Sequence, residues 1–333
     1  MKAFISGVAG FIGSNLAKYL HQFNVDIVGC DNLSGGYKDN IPVGTNFFLV
    51  DCRDPNIEKI MSGCDVVFHC AAHAYEGLSY FSPILVSESI VSATLCLLKA
   101  SIHAKVRRFV YCSSMARYGN QATPFNESMP PLPIDPYGIA KVAAEEMVKS
   151  LCSFYGIEYV IVVPHNIFGV GQRYDDPYRN VIAIMVNRML QGRPPIIYGD
   201  GTQIRSFTTI MDAIIPLANA GMKKEASGQI INIGSGPDLS ISMNNLVEIL
   251  NQVIGTNIAP IHIEGRPNEV VEAFCTNDKS ISLLDHKATG DIRGELGRMV
   301  DWVKKRGPRP FNYDLSIEIN TPRLFSAWKD RLH

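Results

Sequence analysis

The sequence predicts an α/β protein in which a doubly wound parallel sheet is followed by a smaller α/β lobe. Three observations carry this expectation. In the first half, short Val/Ile/Phe-rich runs alternate with amphipathic segments of helical period, the pattern of a parallel sheet covered by helices on both faces. The runs are apolar throughout, as strands buried on both faces are. A glycine-rich turn, "GVAGFIG", joins the first run to the first helical segment.

In chain order, the predicted strands are "KAFIS", "VDIVGCD", "NFFLVD", "DVVFHCAA", "RRFVYCSS" and "EYVIVVP". Helices are predicted over 11–23, 83–102 and 137–155, the last because alanine, glutamate and lysine favour helix and apolar residues recur every three or four positions. Beyond Pro164 the pattern loosens into loops rich in Gly, Pro, Asp and Arg, with one helix near 178–191. "MDAIIPLANAGMK" followed by "GQIINIGSG" reads as a helix and strand that return to the sheet. From about Ser240 the chain is irregular, with helices at "MNNLVEILNQVIG" and "LGRMVDWVKKRG". The expected division is a nucleotide-binding domain over 1–164, rejoined by 207–236, and a lobe built from 165–206 and 237–333.

Composition narrows the partners. The 333 residues are 46% hydrophobic and 19% charged, and 31 basic residues nearly cancel 32 acidic ones. A formal charge of −1 gives no footprint for nucleic acid or a membrane surface, so a small molecule is the expected partner. The eight cysteines have no Cys-x-x-Cys spacing and several lie in apolar runs. They read as reduced core residues of a cytoplasmic protein, with no metal site expected. Glycines interrupt the apolar start "MKAFISGVAGFIG", which argues against a signal peptide, and no stretch is read as approaching the ~20 apolar residues of a membrane span.

Gly7, Gly10 and Gly13 stand directly after the first strand and run into the first helix. Glycines there give a phosphate access to the backbone N–H groups of a helix start, although a glycine trio by itself also fits a plain turn. The second strand ends in "GCDN" and places Asp31 18 positions beyond Gly13. A carboxylate at that point accepts hydrogen bonds from ribose hydroxyls and repels a 2′-phosphate, which favours NAD over NADP. Asp51, ending the third strand, is placed for the adenine amino group; a loop-capping aspartate would look the same.

Tyr137 and Lys141 in "YGIAK" are spaced i to i+4 on one helical face. A phenol titrates near ~10, so it acts as a base at neutral pH only where nearby positive charge favours the phenolate. The spacing alone is weak; its position is informative. It opens the helix following the fifth strand, whose end "YCSSMARYG" puts Ser113 and Ser114 at the carboxyl edge where doubly wound sheets bind ligands. Strand-end capping accounts equally well for one serine of the pair.

Taken together, the glycine loop, the strand-end aspartates, "HCAA", "SSMARYG", "YGIAK", "PHNIFG", "GDGTQIRSF" and "GRPNEV" resemble the extended short-chain dehydrogenase/reductases, specifically their NAD-dependent nucleotide-sugar epimerase/dehydratase group, over about 1–305. The resemblance implies a Rossmann-type nucleotide domain that binds NAD through Gly7, Gly10, Phe11, Ile12, Gly13, Asp31, Asn32, Asp51, Cys52, Ala71, Ala72, Tyr137, Lys141 and Pro164. It makes Tyr137 the general base, Lys141 the residue orienting the nicotinamide ribose, and Ser114 the hydroxyl that bonds the reacting oxygen. Asn166 and Asn180 are implied to meet the nucleotide sugar, and Arg205 and Arg266 to clasp its diphosphate, a task suited to guanidinium geometry. Without the family, surface ion pairs would be the plainer reading of both arginines.

Dehydratases of the group resemble one another in carrying Asp-Glu after the catalytic Ser/Thr, and decarboxylating members a glutamate there. Here the positions are Met115 and Ala116, which transfer no proton. Epimerisation at carbon 4 of UDP-glucose/UDP-galactose or their N-acetylated forms is therefore expected, before other reactions of the family on UDP-glucuronate or CDP-, GDP- or dTDP-sugars. Ala273, seven positions after Arg266, matches a pocket residue that is small where N-acetylated sugars are accepted. Departures from the family pattern are Pro164–His165 in an aromatic slot, Ala74 in place of a lysine, Ser89 and Ser92 in place of asparagines, and Tyr75–Glu76 beside the expected sugar. His165 reads either as a proton carrier or as a packed histidine, the latter better suited to an aromatic slot. Two apolar helices around 83–102 and 137–155 would pair in a homodimer, although burial within one chain gives similar stripes. A non-catalytic dinucleotide sensor is the reading of another class, disfavoured because tyrosine, lysine and both arginines are present.

Overall fold

The structure is a computed structural model describing residues 1–265, 271–315 and 317–333. Seven strands form the central sheet: β1 (Lys2–Ser6), β2 (Asp26–Asp31), β3 (Asn46–Leu49), β4 (Val66–His69), β5 (Arg108–Cys112), β6 (Glu158–Pro164) and β7 (Gln229–Ile233). Their spatial order is β7-β6-β5-β4-β1-β2-β3, all parallel. Winding runs outward in both directions from β1 and β4, which opens a crevice at the carboxyl ends of the strands. The predicted third, fourth and fifth strands each run past the observed ends. Asp51, Cys70–Ala72 and Ser114 lie beyond the strands and line the crevice, as does Ser113, whose N–H still donates to Val162 O of β6 at 2.8 Å.

Alternation along the strands feeds two cores. Phe4, Val67, Phe109 and Ile161 pack with Val86, Ile90, Leu97, Ala140, Ala144 and Val148 on one face. Ile5, Phe68, Val110 and Val162 meet Leu16, Leu20, Ile214 and Leu217 on the other. The helix Pro136–Tyr155 has clear local causes. The Asp135 side chain caps the Gly138 N–H at 2.8 Å, Pro136 occupies the first turn, and Gly156 closes it in the left-handed region at φ 69°.

Its neighbour, Pro83–His103, corrects the membrane expectation. It is 21 residues long with a window of mean hydropathy 1.5, enough by length and composition to cross a bilayer. One face is apolar because it covers the sheet through Val86, Ile90, Leu97 and Leu98. The outer face adds Ile84 and Leu95, which are exposed.

The lobe has its own core of Met185, Met189, Leu246, Leu250, Leu296, Met299 and Val303, contributed by helices Val181–Leu190, Met243–Ile254 and Ile292–Arg306. Strand Ile204–Ser206 lies between Ser240–Ser242, antiparallel, and Glu272–Ala273, parallel. The stretch 237–333 does not stay wholly in the lobe. Leu284, on helix Asp278–Leu284, enters the second core of the sheet. Farther on, Glu318 accepts hydrogen bonds from the Ile84 and Leu85 N–H groups, and Ile319 N–H donates to Phe81 O at 2.8 Å. Nothing in the local pattern of 310–333 announces this return, because the contacts of Glu318 and Ile319 that make it reach residues more than 200 positions earlier.

Candidate active site

A cavity of about 700 Å³ runs along the carboxyl ends of the sheet and under the lobe. At one end lies the glycine turn. Gly7 adopts φ 72°, and a Cβ there would sit 2.9 Å from Ala71 Cα; a Cβ on Gly13 would overlap the Gly7 carbonyl. The helix Phe11–His21 begins at Gly10 without a side-chain cap, leaving its first N–H groups facing the crevice. Asp31 Oδ2 accepts from Ala9 N–H at 3.0 Å and Oδ1 from Leu33 N–H at 2.7 Å, while burial raises the carboxyl above its ordinary range. Asn32 donates to Asp51 at 2.9 Å, and Arg53 pairs with both Asp51 and Glu88. Burial alone would raise Asp51, but the Arg53 hydrogen bonds outweigh it and hold the carboxyl below its usual value. Phe11, Ile12, Cys52, Ala71, Ala72 and Pro164 complete this wall. A cradle that a Cβ would fill, beside a strand-end carboxylate, fits a dinucleotide.

At the other end the helix Pro136–Tyr155 points Tyr137 and Lys141 into the cavity from successive turns. Lys141 Nζ donates to Cys112 O at 2.8 Å and lies 5.8 Å from the Tyr137 ring centroid. Burial lowers the Lys141 ammonium to about 8. Tyr137 is also buried, and burial pushes its phenol above the ordinary value, with a hydrogen bond from Ser114 pulling it back. In the protein alone, burial is the largest influence on the Tyr137 phenol and outweighs the pull of its Ser114 hydrogen bond.

The two serines part company. Ser114 faces the cavity and accepts from Ala116 N–H at 3.2 Å. Ser113 also reaches the cavity wall, but its hydroxyl donates inward to Glu145. Glu145 lies one turn beyond Lys141 and is fully buried with Arg117, whose Nε is 3.1 Å from the same carboxylate oxygen. The sequence reading missed this pair. A glutamate one turn after Lys141 was the available signal, but its partner is set by the fold.

On the lobe side, Asn166 (φ 42°), Asn180 and Arg205 line the cavity. Asn166 Nδ2 donates to Ser206 O at 3.1 Å, and Asn180 Oδ1 caps Ile182 N–H at 3.2 Å. Arg205 donates to Ile204 O at 2.8 Å and Val271 O at 3.3 Å. Arg266 lies outside the described residues. Ala273 is 1% exposed, opposite Arg205 in the strand register, and packs in the first core behind the cavity wall. Strand alternation turns it inward and Glu272 outward, and it is not among the residues that line the cavity.

Of the departures, His165 is buried near the Tyr118 and Phe125 rings, with Nε2 3.3 Å from Asn232 Oδ1. Burial lowers it to about 4, which keeps it neutral and packed. Tyr75 is fully buried, whereas Glu76 lines the cavity. Ala74 and Ser89 line it too, with Ser89 Oγ accepting from His73 N–H at 3.2 Å. His73, Gln172, Tyr178, Arg179 and Trp328 are further lining residues that sequence reasoning did not single out. They come from loops and the C-terminal tail, where no periodic pattern signals direction. Among the described residues, no group of three or more His, Cys, Asp or Glu side chains could hold a metal ion.

A dinucleotide cradle continuous with a Tyr–Lys–Ser cluster defines an enzyme of the dinucleotide-dependent, Rossmann-type class. Residues 3–234 match the NAD dependent epimerase/dehydratase family. A protein of Methanocaldococcus jannaschii, named provisionally as a UDP-glucose 4-epimerase, is 34% identical over 306 residues, covering 90% of this chain and 97% of its own. The crystal structure of Thermotoga maritima UDP-glucose 4-epimerase with UDP-glucose superposes with a TM-score of 0.85 at 28% identity, covering 92% of this chain and 99% of that one. Bacillus cereus UDP-glucuronic acid 4-epimerase, solved with UDP-glucuronic acid and NAD, gives 0.85 at 27% identity, covering 92% and 100%. The chain belongs to the NAD-dependent epimerase/dehydratase family, and NAD is its cofactor.

Proposed function

We propose that the protein interconverts the carbon-4 epimers of a UDP-hexose through a 4-keto sugar. The observation that carries this reading is the convergence of the Tyr137 phenol and Ser114 hydroxyl in one cavity with the dinucleotide cradle, while Met115 occupies the place where elimination would need an acid or base. UDP is the nucleotide common to the relatives named above.

Ser114 and Tyr137 hold the sugar's 4-hydroxyl, and Tyr137 takes its proton. When bound, NAD supplies the hydride acceptor and donor chemistry, and its oxidised ring adds positive charge that favours the phenolate against the burial described above. Lys141, steadied by Cys112 O, is placed to hold the nicotinamide ribose. Asn166, Asn180 and Arg205 hold the nucleotide sugar from the lobe side, joined in this proposal by Arg266. The keto sugar turns within the cavity, and Tyr137 returns the proton to the oxygen once carbon 4 is reduced from its other face.

Proton NMR on enzyme incubated separately with UDP-galactose, UDP-glucose, UDP-N-acetylglucosamine and UDP-glucuronate tests this. Appearance of a carbon-4 epimer is expected with at least one of them. Conversion of none would sink the UDP-hexose reading. The small Ala273 favours entry of the N-acetylated sugar, and failure to turn over UDP-N-acetylglucosamine while UDP-glucose is converted would count against that role.

We also propose a cytoplasmic homodimer joined through the outer faces of helices Pro83–His103 and Pro136–Tyr155, where Ile84, Leu95, Ile139 and Met147 are exposed. Eight free cysteines fit a reducing compartment. Protein purified without reductant is expected to scatter light as twice 36.7 kDa and to titrate eight thiols. A monomer, or missing thiols, would count against the respective half.

A further inference from the structure

The dinucleotide's diphosphate brings negative charge to the glycine turn, and the cavity offers few cations to meet it. Among the described residues, the Lys and Arg side chains lining it are Arg53, Lys141, Arg179 and Arg205. Arg53 is spent on Asp51 and Glu88 at one end. Lys141 is bound to Cys112 O at the other, and Arg205 sits on the lobe strand Ile204–Ser206.

Arg179 reaches the gap from the lobe. Its Nε donates to Asp176 Oδ2 at 3.1 Å, and its guanidinium lies 5.0 Å over the Tyr75 ring. Tyr75 donates its hydroxyl to the same Asp176 oxygen at 2.6 Å, and Tyr178 N–H donates to Oδ1 at 2.9 Å. One edge of the guanidinium is thereby fixed. The guanidinium also reaches the nucleotide domain: a Cβ on Gly35 would collide with Arg179 Nη2. The next residue, Gly36, is packed so closely on Ala9 and Gly10 that a Cβ would overlap their backbone. The guanidinium thus stands one residue away from a segment lying directly on the phosphate-binding turn, with its side chain still 17% exposed to the cavity.

We propose that Arg179 clamps the NAD diphosphate, a cofactor-binding role carried by a residue of the lobe. Tyr75 and Asp176 hold the guanidinium pre-oriented, and Gly35 lacks a side chain so that it can approach. A fixed guanidinium pairs well with phosphate oxygens, and its entropy loss on binding is small because the side chain is already ordered. The clamp also ties cofactor retention to the loop 172–180, which belongs to the sugar side of the cleft.

The test measures binding, not turnover. NAD retained per chain is measured after gel filtration at low and high salt for the parent, Arg179→Met and Arg179→Lys. The NAD-free fractions are then titrated calorimetrically with ADP-ribose, adenosine and UDP. Arg179→Met is expected to weaken ADP-ribose and NAD by about tenfold or more, the scale of a charge-assisted hydrogen bond, with adenosine and UDP changed by less than about twofold. Arg179→Lys recovers part of the loss. Since Arg179→Met strands Asp176, the double variant Arg179→Met/Asp176→Asn serves as a second probe and should lose ADP-ribose to the same degree. Unchanged ADP-ribose affinity in both variants overturns the proposal. So does a loss that falls on UDP instead, which would make Arg179 a substrate residue, or an equal loss on adenosine, which would signal a disturbed fold.

Discussion

Replacing Tyr137 by phenylalanine is expected to lower the kcat of epimerisation by about 10²–10⁴-fold, the range associated with a positioned general base. The substitution removes one oxygen and leaves the ring among its core neighbours, so a folding defect is not the expected cause. Ser114 hydrogen-bonds that hydroxyl, and its own hydroxyl remains to bind the sugar oxygen without removing its proton. Burial works against the phenolate, so the base has to be assembled with the cofactor present. NAD retention is expected to stay at the parent level, measured by absorbance of the released nucleotide. A Tyr137→Phe enzyme retaining a tenth or more of the parent kcat would remove Tyr137 from the base role.

The second large effect is on stability. Glu145 and Arg117 are both essentially excluded from solvent, and Glu145 accepts from Ser113 as well as Arg117. Removing one charge of such a pair leaves the other buried without its counter-charge, which costs about 3–5 kcal/mol. Glu145→Gln and Arg117→Met are each expected to move the urea midpoint down accordingly. The double variant should regain most of the loss, because two neutral groups of similar volume carry no stranded charge. Urea unfolding curves on the three variants check this, and a single variant within about 1 kcal/mol of the parent would show that the pair is not what holds the site together. Glu145 also anchors the hydroxyl of Ser113, next to the reacting Ser114. The single variant is therefore expected to lose kcat even under conditions where it is fully folded.

Much of this protein was legible because its chemistry is local in sequence. The glycine turn needs residues without Cβ at fixed offsets, and Tyr137 and Lys141 need one helical turn between them. Asp31, Asp51 and Ser114 are strand-end residues, and in a parallel sheet every strand delivers its end to the same crevice. Their convergence therefore follows from the order of elements alone. The places where reading failed are those where direction matters more than position. Ser113 and Ser114 are adjacent strand-end serines, yet the hydroxyl of Ser113 turns inward to Glu145. Tyr75 and Glu76 are adjacent, yet only Glu76 lines the cavity. The apolar helix Pro83–His103 has an inner face set by the sheet and an outer face that its sequence does not separate.

By itself, then, the sequence determined the doubly wound sheet, the dinucleotide turn, the Tyr–Lys–Ser cluster and the absence of a proton-transferring pair after Ser114. Periodicity and fixed spacing encode the sheet and the turn, and the family resemblance of the motifs carries the cluster and the missing pair. Only the tertiary structure decided that Ser113 turns inward to Glu145, that Lys141 is steadied by the Cys112 carbonyl, and that Arg179 crosses from the lobe to Gly35. It also brought the tail past 310 back over the sheet's helices. The physical reason is the same in each case. These contacts join residues far apart in the chain, and their partners are chosen by burial and charge in three dimensions, which no run of neighbouring residues records.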